Sequence, residues 1–196
     1  MKHLPKPFDQ LPDYAVDLEV FKEPGRLFLQ GAEARCLYYL EQGEATLIRH
    51  TAAGDEVSIH VAYSGETFAE AALFSDQYHC DAMIRQPSRL WAINNADVLT
   101  LSRKNAEFSL ALSARFAGQV QGLRRQKELL AIRSATERVY VALSEGLLHS
   151  NIKQFASSIG LTHEAVYRAL AKLVKAGRVI KYGRGKYQSV QKNALT

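Results

Sequence analysis

The sequence has 196 residues, of which 47% are apolar and 23% charged, with a net charge of +5. Length and composition allow one large globular domain or two small ones and exclude a disordered or fibrous chain. Two cysteines exclude a disulfide scaffold and a cysteine-rich zinc or iron–sulfur site, and the lack of any apolar run of about 18 residues excludes a transmembrane helix.

The first half of the chain has the regularly spaced turn residues of a β domain. The N-terminal segment MKHLPKPFDQLPDY contains three prolines and no apolar core, so we expect no secretory signal and a cytoplasmic protein. Turn glycines then recur every 11–12 residues, at Gly31, Gly43, Gly54 and Gly65, between runs rich in Val, Ile, Tyr and Thr. This spacing predicts an antiparallel sandwich or barrel over residues 15–102, with a hairpin turn at AAGDE, residues 52–56.

From Arg103 the pattern becomes helical. Residues 103–133 contain helix formers and no proline, and one set of residues recurs in steps of four and three: Leu112, Phe116, Gln119, Leu123, Gln126 and Leu130. This spacing is typical of a coiled-coil seam, so we predict one long helix over 103–133 that pairs with a second copy of the chain. The alternative is a helix packed on its own β domain.

Residues 134–196 predict three short helices and a hairpin with a basic tip. The first helix, ATERVYVALSEGLL, is amphipathic. Asn151 or Ser150 is expected to cap the second, IKQFASSI, and Thr162 the third, HEAVYRALAKLVKAG. Gly160 is expected to end the second helix in the left-handed conformation that glycine favours.

The turn SIGLT between the second and third helices has the pattern of a helix-turn-helix, and the basic hairpin makes it a winged version. The charge distribution supports this interpretation. Residues 1–100 carry 8 Lys/Arg and 15 Asp/Glu, whereas residues 101–196 carry 17 and 5. A strongly basic half favours a polyanionic partner, double-stranded DNA in this case; the alternative is a solvated charged surface.

In this motif the N-terminal end of the third helix enters the major groove. We therefore expect base contacts from five residues: Thr162, His163, Glu164, Tyr167 and Arg168. Arg168 suits guanine and Glu164 suits the amino group of cytosine, and the two are also expected to form a helical ion pair. Phosphate contacts are expected from four basic residues: Lys153, Lys181, Arg184 and Lys186.

Four segments occur in an order that identifies a family resemblance: LYYLEQGEATL (37–47), GETFAEAALFSD (65–76), ERVYVAL (137–143) and IGLTHEAVYRALAKLVKAGRVI (159–180). Together they resemble the superfamily of the cyclic AMP receptor protein and the fumarate–nitrate reduction regulator. The resemblance implies an α+β protein with an N-terminal antiparallel β-roll (a cyclic-nucleotide-binding-like jelly roll), a long dimerisation helix and a C-terminal winged helix-turn-helix over 134–196. It also implies a homodimeric regulator without catalytic activity, with a two-fold symmetric operator and RNA polymerase as partners.

The recognition helix follows the family in part. Glu164 and Arg168 match the glutamate and arginine that the family offers to bases. His163 and Tyr167 stand where the receptor has arginine and glycine. The resemblance therefore implies an operator half-site related to that of the family but different from it.

The predicted effector pocket departs further. Glu70 matches the family's ribose contact, but Cys80 replaces the arginine that pairs the cyclic phosphate, and Asp81 replaces a serine. The remaining pocket residues are Ala71, Leu123 and Arg124. Loss of the cation disfavours a buried phosphate, so we expect an effector other than cyclic AMP, or none. The alternative is a cyclic-nucleotide-responsive protein. It would be either a DNA-binding regulator or a cyclic-nucleotide-binding module that regulates a partner protein without contacting DNA.

Other sensing chemistries stay open, and no cofactor is firmly implied. Residues 1–35 lack the cysteines that an oxygen-sensing iron–sulfur cluster needs. His79 or Cys80 can ligate haem, and Cys36 or Cys80 can act as a redox thiol, unless both cysteines are simply small buried hydrophobes. A metalloenzyme of the cupin kind needs converging histidines, whereas those of this domain are isolated in sequence: His50, His60 and His79.

Overall fold

The structure, a computed structural model, describes residues 4–148 and 151–190. It divides into two units, Met1–Arg115 and Phe116–Thr196. The strands are β1 (Val16–Phe21), β2 (Gly25–Phe28), β3 (Cys36–Gln42), β4 (Glu44–His50), β5 (Glu56–Tyr63), β6 (Thr67–Phe68), β7 (Asp81–Ile84), β8 (Ser88–Asn94), β9 (Val179–Gly183) and β10 (Lys186–Ser189). The helices are α1 (Asn95–Lys104), α2 (Ala106–Ala131), α3 (Ala135–Ser144), α4 (Ile152–Ser158) and α5 (His163–Lys175).

Eight strands of the first unit form two antiparallel sheets. Their strand orders are β1-β8-β3-β6 and β2-β7-β4-β5. Alternate residues of both sheets share one buried cluster, in which Leu40 and Leu90 come from the first sheet and Leu47 and Ile84 from the second. Period-two alternation of apolar residues produces such a shared core. The predicted antiparallel jelly roll is therefore confirmed.

Glycine sets two of the turns that hold these strands in register. Gly54, at φ +88°, lies in the turn between β4 and β5, which confirms the predicted hairpin. Gly43 links β3 to β4 at φ +116°, where the backbone approaches Ser88 closely. A side chain at Gly43 would put its Cβ 2.6 Å from Cβ and 2.9 Å from Cα of Ser88. Only glycine suits this crossing of β4 and β8.

Stacked aromatic rings occupy part of the interior between the sheets. The ring centroids of Phe28 and Tyr78 are 3.7 Å apart, and Tyr38 stacks on Phe28 at 5.6 Å and on Phe68 at 5.3 Å. The Tyr78 hydroxyl donates to the carbonyl oxygen of Cys36 at 2.8 Å. Burial raises the pKa of both tyrosines, so the two phenols stay protonated at neutral pH.

The predicted helix over 103–133 starts later than expected. Arg103 lies in the last turn of α1, and α2 begins at Ala106. Between the two helices Asn105 is extended, and its side-chain oxygen accepts the backbone N–H of Phe108 at 3.1 Å. This capping bond starts a new helix, although the composition alone predicts one continuous helix over this stretch.

None of the helices in the described part of the chain combines the length and the hydropathy that a membrane crossing requires.

The side chains of α2 depart from a single continuous seam. Phe108 and Leu112 are buried within the chain, so the first turns of α2 follow the alternative expectation of packing on their own domain. Further along, Val120 is 46% and Leu123 is 60% exposed. Apolar side chains are therefore left uncovered in both halves of the helix, since Leu110 in the first half is 72% exposed.

After α2, the described residues of the second unit form three helices and then a two-stranded hairpin, as predicted. The Asn151 side chain caps α4 by accepting the N–H of Gln154 at 2.9 Å, whereas Ser150 lies outside the described residues. Gly160, at φ +62°, follows α4 in the left-handed conformation. Buried residues of the helices and of β9 form one core, which also includes Leu129 of α2.

Candidate functional site

One face of α5 carries all five predicted base-contacting residues. The Thr162 hydroxyl begins the helix by accepting the N–H of Ala165 at 3.2 Å. The apolar residues that fix the helix on its core are Val166, Ala169, Leu170 and Leu173. Their 3–4 spacing leaves the opposite face to solvent, and the exposed residues at its N-terminal end are Thr162, His163, Glu164, Tyr167 and Arg168. The helix thus presents both a cation and hydrogen-bonding groups.

The carboxylate of Glu164 is held in its ionised form. A hydrogen bond from its own backbone N–H and another from the Thr162 hydroxyl lower its pKa, and the charges of His163 and Arg168 lower it further. The carboxylate lies beside His163, whose Nε2 is 3.0 Å from a carboxylate oxygen. Within the described residues 151–190, the carboxylate of Glu164 does not form the predicted ion pair with Arg168, because the capping turn holds it beside His163. Arg168 is therefore left to face outward.

The turn that precedes α5 is tightly packed. Gly160 has no room for a side chain, because a Cβ there would overlap the Leu130 side chain. The Arg138 guanidinium donates to the carbonyl oxygen of Ile159 at 3.1 Å in the same turn. No local sequence pattern indicates this role of Arg138, because the two residues lie 21 positions apart.

The hairpin carries the predicted basic residues on its exposed surface. Lys181, Arg184 and Lys186 are exposed, and so is Lys153 at the start of α4. Arg178, at the base of the hairpin, has a different role. It donates to both carboxylate oxygens of Glu137, at 2.9 and 3.1 Å, and lies 3.7 Å over the Tyr140 ring. This bidentate contact holds the hairpin against α3. The Arg178 guanidinium is therefore engaged within the protein, unlike the exposed cations of the hairpin.

The residues of the predicted effector pocket fall into separate surroundings. Glu70 is half-buried and accepts a hydrogen bond from the Thr67 hydroxyl at 2.5 Å, and Ala71 beside it is exposed. Arg115 of α2 donates to the same Thr67 oxygen at 3.1 Å. A hydrogen-bonded chain therefore joins the predicted ribose-contacting carboxylate to α2.

Cys80, directly before β7, and Asp81, the first residue of β7, point to opposite sides. Cys80 is buried in the cluster between the sheets. The Asp81 carboxylate instead accepts the backbone N–H of Gln30 at 2.7 Å and lies 3.8 Å from Nδ1 of His50. The expectation that both would face one ligand is not met here, because successive strand residues alternate between faces. The other two pocket residues, Leu123 and Arg124, are exposed on α2 in the second unit, and their place in a pocket stays a prediction.

Both cysteines have surroundings that suppress the thiolate. Burial raises the pKa of Cys80; the nearby Arg49 lowers it and Asp81 raises it again. Burial also raises the pKa of Cys36, with smaller contributions from the charges of Glu19 and Asp17. Raised pKa values leave little thiolate at neutral pH, which favours the interpretation of both residues as small hydrophobes.

We therefore expect slow alkylation of both cysteines in the native protein. At pH 7.5, iodoacetamide should modify them at least about tenfold more slowly than in urea, with Cys80 slower than the half-buried Cys36. Peptide mass spectrometry of the time course measures the two rates separately. Native labelling of either thiol as fast as in urea would contradict this account and favour the redox alternative.

The histidines of the β domain are spread rather than clustered. His79 is exposed and lines an open cleft of about 730 Å³ together with Arg49 and His50, whereas its neighbour Cys80 faces the interior. Among the described residues, no three His, Cys, Asp or Glu side chains are grouped closely enough to hold a metal ion. The cleft combines these basic residues with the acidic Asp76.

Comparison with known proteins gives consistent matches. The family described as "Cyclic nucleotide-binding domain" matches residues 18–105. The chain is 27% identical over 168 residues to the cyclic AMP receptor protein of Thermus thermophilus, covering 81% of this chain and 77% of the relative. It is 26% identical over 171 residues to the cAMP-activated global transcriptional regulator CRP of Pasteurella multocida, covering 79% and 82%.

Solved structures share the fold over nearly the whole chain. FixK2 from Bradyrhizobium japonicum superposes with a TM-score of 0.63 at 17% identity, covering 90% of this chain and 93% of that one. The c-di-GMP-responsive global regulator CLP of Xanthomonas campestris superposes with a TM-score of 0.58 at 21% identity, covering 90% and 94%. These similarities extend through both units of the chain.

Proposed function

Because the chain belongs to the superfamily of the cyclic AMP receptor protein and the fumarate–nitrate reduction regulator, we propose that it is a homodimeric, sequence-specific DNA-binding transcription regulator. Its relatives are transcription regulators, not enzymes. We further propose that its β domain senses an effector other than cyclic AMP, or that the protein acts without one. Contact with DNA would place the protein in the cytoplasm, and contact with RNA polymerase stays a prediction.

The exposed N-terminal face of α5 is the observation that carries the proposal. α4, the turn at Gly160 and α5 have the order of a helix-turn-helix, and the hairpin β9–β10 has the position of its wing. An arginine and an ionised glutamate one turn apart on this face match the donor and acceptor pattern of guanine and cytosine edges. The basic residues of α4 and the hairpin would supply phosphate contacts without sequence information.

Uncovered apolar residues on α2 support the proposed dimer. Val120 and Leu123 lie three residues apart on one side of the helix, and both are exposed in the single chain. Pairing of this side with the same side of a second copy would remove the apolar area from water. A two-fold dimer would then place two α5 helices against two half-sites of a symmetric operator, about 34 Å apart.

Two observations support an effector other than cyclic AMP. The family's phosphate-binding cation is replaced by the buried, protonated thiol of Cys80. In addition, the Phe28–Tyr38–Tyr78 ring stack packs into the same buried cluster. A cyclic phosphate placed there would lose the cation that the family has at this position, and a buried polar group without a partner costs roughly 2–7 kcal/mol, an ion more.

Substitution of one base-reading and one phosphate-contacting residue tests the assigned roles. Arg168→Ala should lower affinity for the operator by about 5- to 150-fold and relax the preference for guanine, because one bidentate contact is worth about 1–3 kcal/mol. Lys186→Ala should weaken binding to all sequences alike and reduce the salt slope by about one unit. Fluorescence anisotropy with operator and random duplexes at several salt concentrations measures both effects. Equal losses on both duplexes for both variants would contradict the assignment.

A further inference from the structure

Arg138 of α3 binds the ends of two other helices at once. At the end of α2, its Nη2 donates to the carbonyl oxygens of Ile132 at 2.7 Å and Leu130 at 3.2 Å, and its Nε donates to Ile132 at 3.1 Å. Beyond the end of α4, its Nη1 donates to the carbonyl oxygens of Ile159 at 3.1 Å and Gly160 at 3.5 Å. One side chain thus connects α2 with the turn that leads into α5.

The chemistry of these contacts explains why an arginine is needed. The last carbonyl groups of a helix have no partner within the helix and carry partial negative charge from its dipole. A guanidinium offers five N–H donors in a fixed plane and a permanent positive charge. Arg138 can therefore satisfy two helix ends together, which a lysine ammonium with three donors on a flexible stem cannot do with the same geometry.

Side-chain packing reinforces the connection. The Leu130 side chain lies against the α-carbon of Gly160, in the space that a Cβ would fill. Leu129, one residue earlier, is buried in the same core as Val139 of α3 and Ile159 of the turn. The end of α2, the start of α3 and the turn before α5 therefore form one packed block.

We propose that Arg138 is a positioning residue that fixes the distance between the two α5 helices of the dimer, and so determines which half-site spacing the protein accepts. This inference rests on the proposed function, since it requires that α2 pair with a second copy and that α5 read DNA. The α2 pair defines the two-fold axis. The Arg138 contacts then transmit the position of α2 to the turn that begins α5, without touching DNA.

The test uses the inverted repeat that the protein selects from a random duplex library, in duplexes whose spacer is shortened or lengthened by one or two base pairs. Wild-type protein should prefer one spacer by at least about tenfold. Arg138→Gln should lose about tenfold in affinity at the preferred spacer but much less at the others, so that the preference flattens. Arg138→Lys should give an intermediate preference. Measurements at temperatures well below the melting transition of each variant separate this effect from unfolding.

Arg133→Gln is the matched control, because Arg133 lies in the same connection, is exposed and loses the same charge. It should keep the wild-type spacer preference. An Arg138→Gln protein that stays folded and loses affinity equally at every spacer would overturn the inference, and so would one that keeps the wild-type preference. A wild-type protein that binds no inverted repeat would instead overturn the proposed function, which distinguishes the two failures.

Discussion

Leu123→Asp is expected to convert the protein to a monomer and to lower its operator affinity by at least about 100-fold. Leu123 is 60% exposed in the single chain, where aspartate is harmless, but the proposed dimer buries it. An unpaired carboxylate in an apolar interface costs several kcal/mol, which is enough to separate the two copies. A monomer then holds one half-site only and loses the avidity of two linked contacts, about 10²–10⁴ in affinity.

Gln121→Asp provides the control for this variant. Gln121 is exposed on α2 two residues away, about 200° around the helix, and so lies on the side opposite Leu123. It receives the same new charge but should stay dimeric and bind the operator normally. Analytical ultracentrifugation gives the oligomeric state and anisotropy gives the affinity. A dimeric Leu123→Asp protein, or monomers from both variants, would contradict the placement of the interface.

Gly43→Ala is expected to destabilise the β domain by about 2–6 kcal/mol. Part of the cost is the backbone, because alanine at φ +116° is strained by about 1–3 kcal/mol. The rest is a clash of the new Cβ with Ser88, 2.6 Å from its Cβ and 2.9 Å from its Cα. The Ser88 backbone belongs to β8 and cannot move without disturbing the sheet, so an overpacking cost of about 1–3 kcal/mol is added.

Gly65→Ala isolates the clash from the backbone strain. Gly65 also has a positive φ, +95°, but no atom lies within 4 Å of the Cβ that alanine would add. It should therefore lose only about 1–2 kcal/mol. Urea unfolding followed by the fluorescence of Trp91, the only tryptophan and a residue of β8, reports on this domain directly. Equal losses in the two variants would show that the contact with Ser88 costs nothing.

The sequence predicted those parts of the fold that local chemistry decides. Asn151, Gly160 and Thr162 act as caps and turn residues through their own side chains or backbone freedom, so their positions were readable. The exposed face of α5 followed from apolar residues repeating in steps of three and four. Recognition of the helix and its five outward-facing residues therefore needed no tertiary information.

Apart from the break at Asn105, which a local capping bond causes, the errors arose where contacts between residues far apart in the sequence determine the structure. Asn105 looked like an ordinary helix residue, and its capping bond to Phe108 divides the helix. Leu112 fitted the seam by spacing but is buried within the chain. Arg138 gave no signal, because its acceptors are main-chain carbonyl groups that every residue possesses. Spacing shows which residues share a face, whereas tertiary packing determines what covers that face.

The effector pocket also combines a feature that the sequence predicts with features that only tertiary packing determines. Comparison of residue types placed Cys80 and Asp81 in one pocket, whereas strand alternation sends the thiol into the core and the carboxylate toward Gln30 and His50. The replacement of a cation by a neutral thiol was visible in the sequence. The ring stack around Phe28 was not, because its members come from strands and loops far apart in the chain.

Selection of binding sites from a random duplex library tests the central claim most directly. Purified, reduced protein is used with and without a protein-free extract of cell metabolites, so that an effector-dependent and an effector-independent regulator both respond. We expect enrichment of an inverted repeat with half-sites about one DNA turn apart and a guanine preference that Arg168→Ala abolishes. Recovery of only unrelated sequences under both conditions, with affinity that depends on salt alone, would contradict the account.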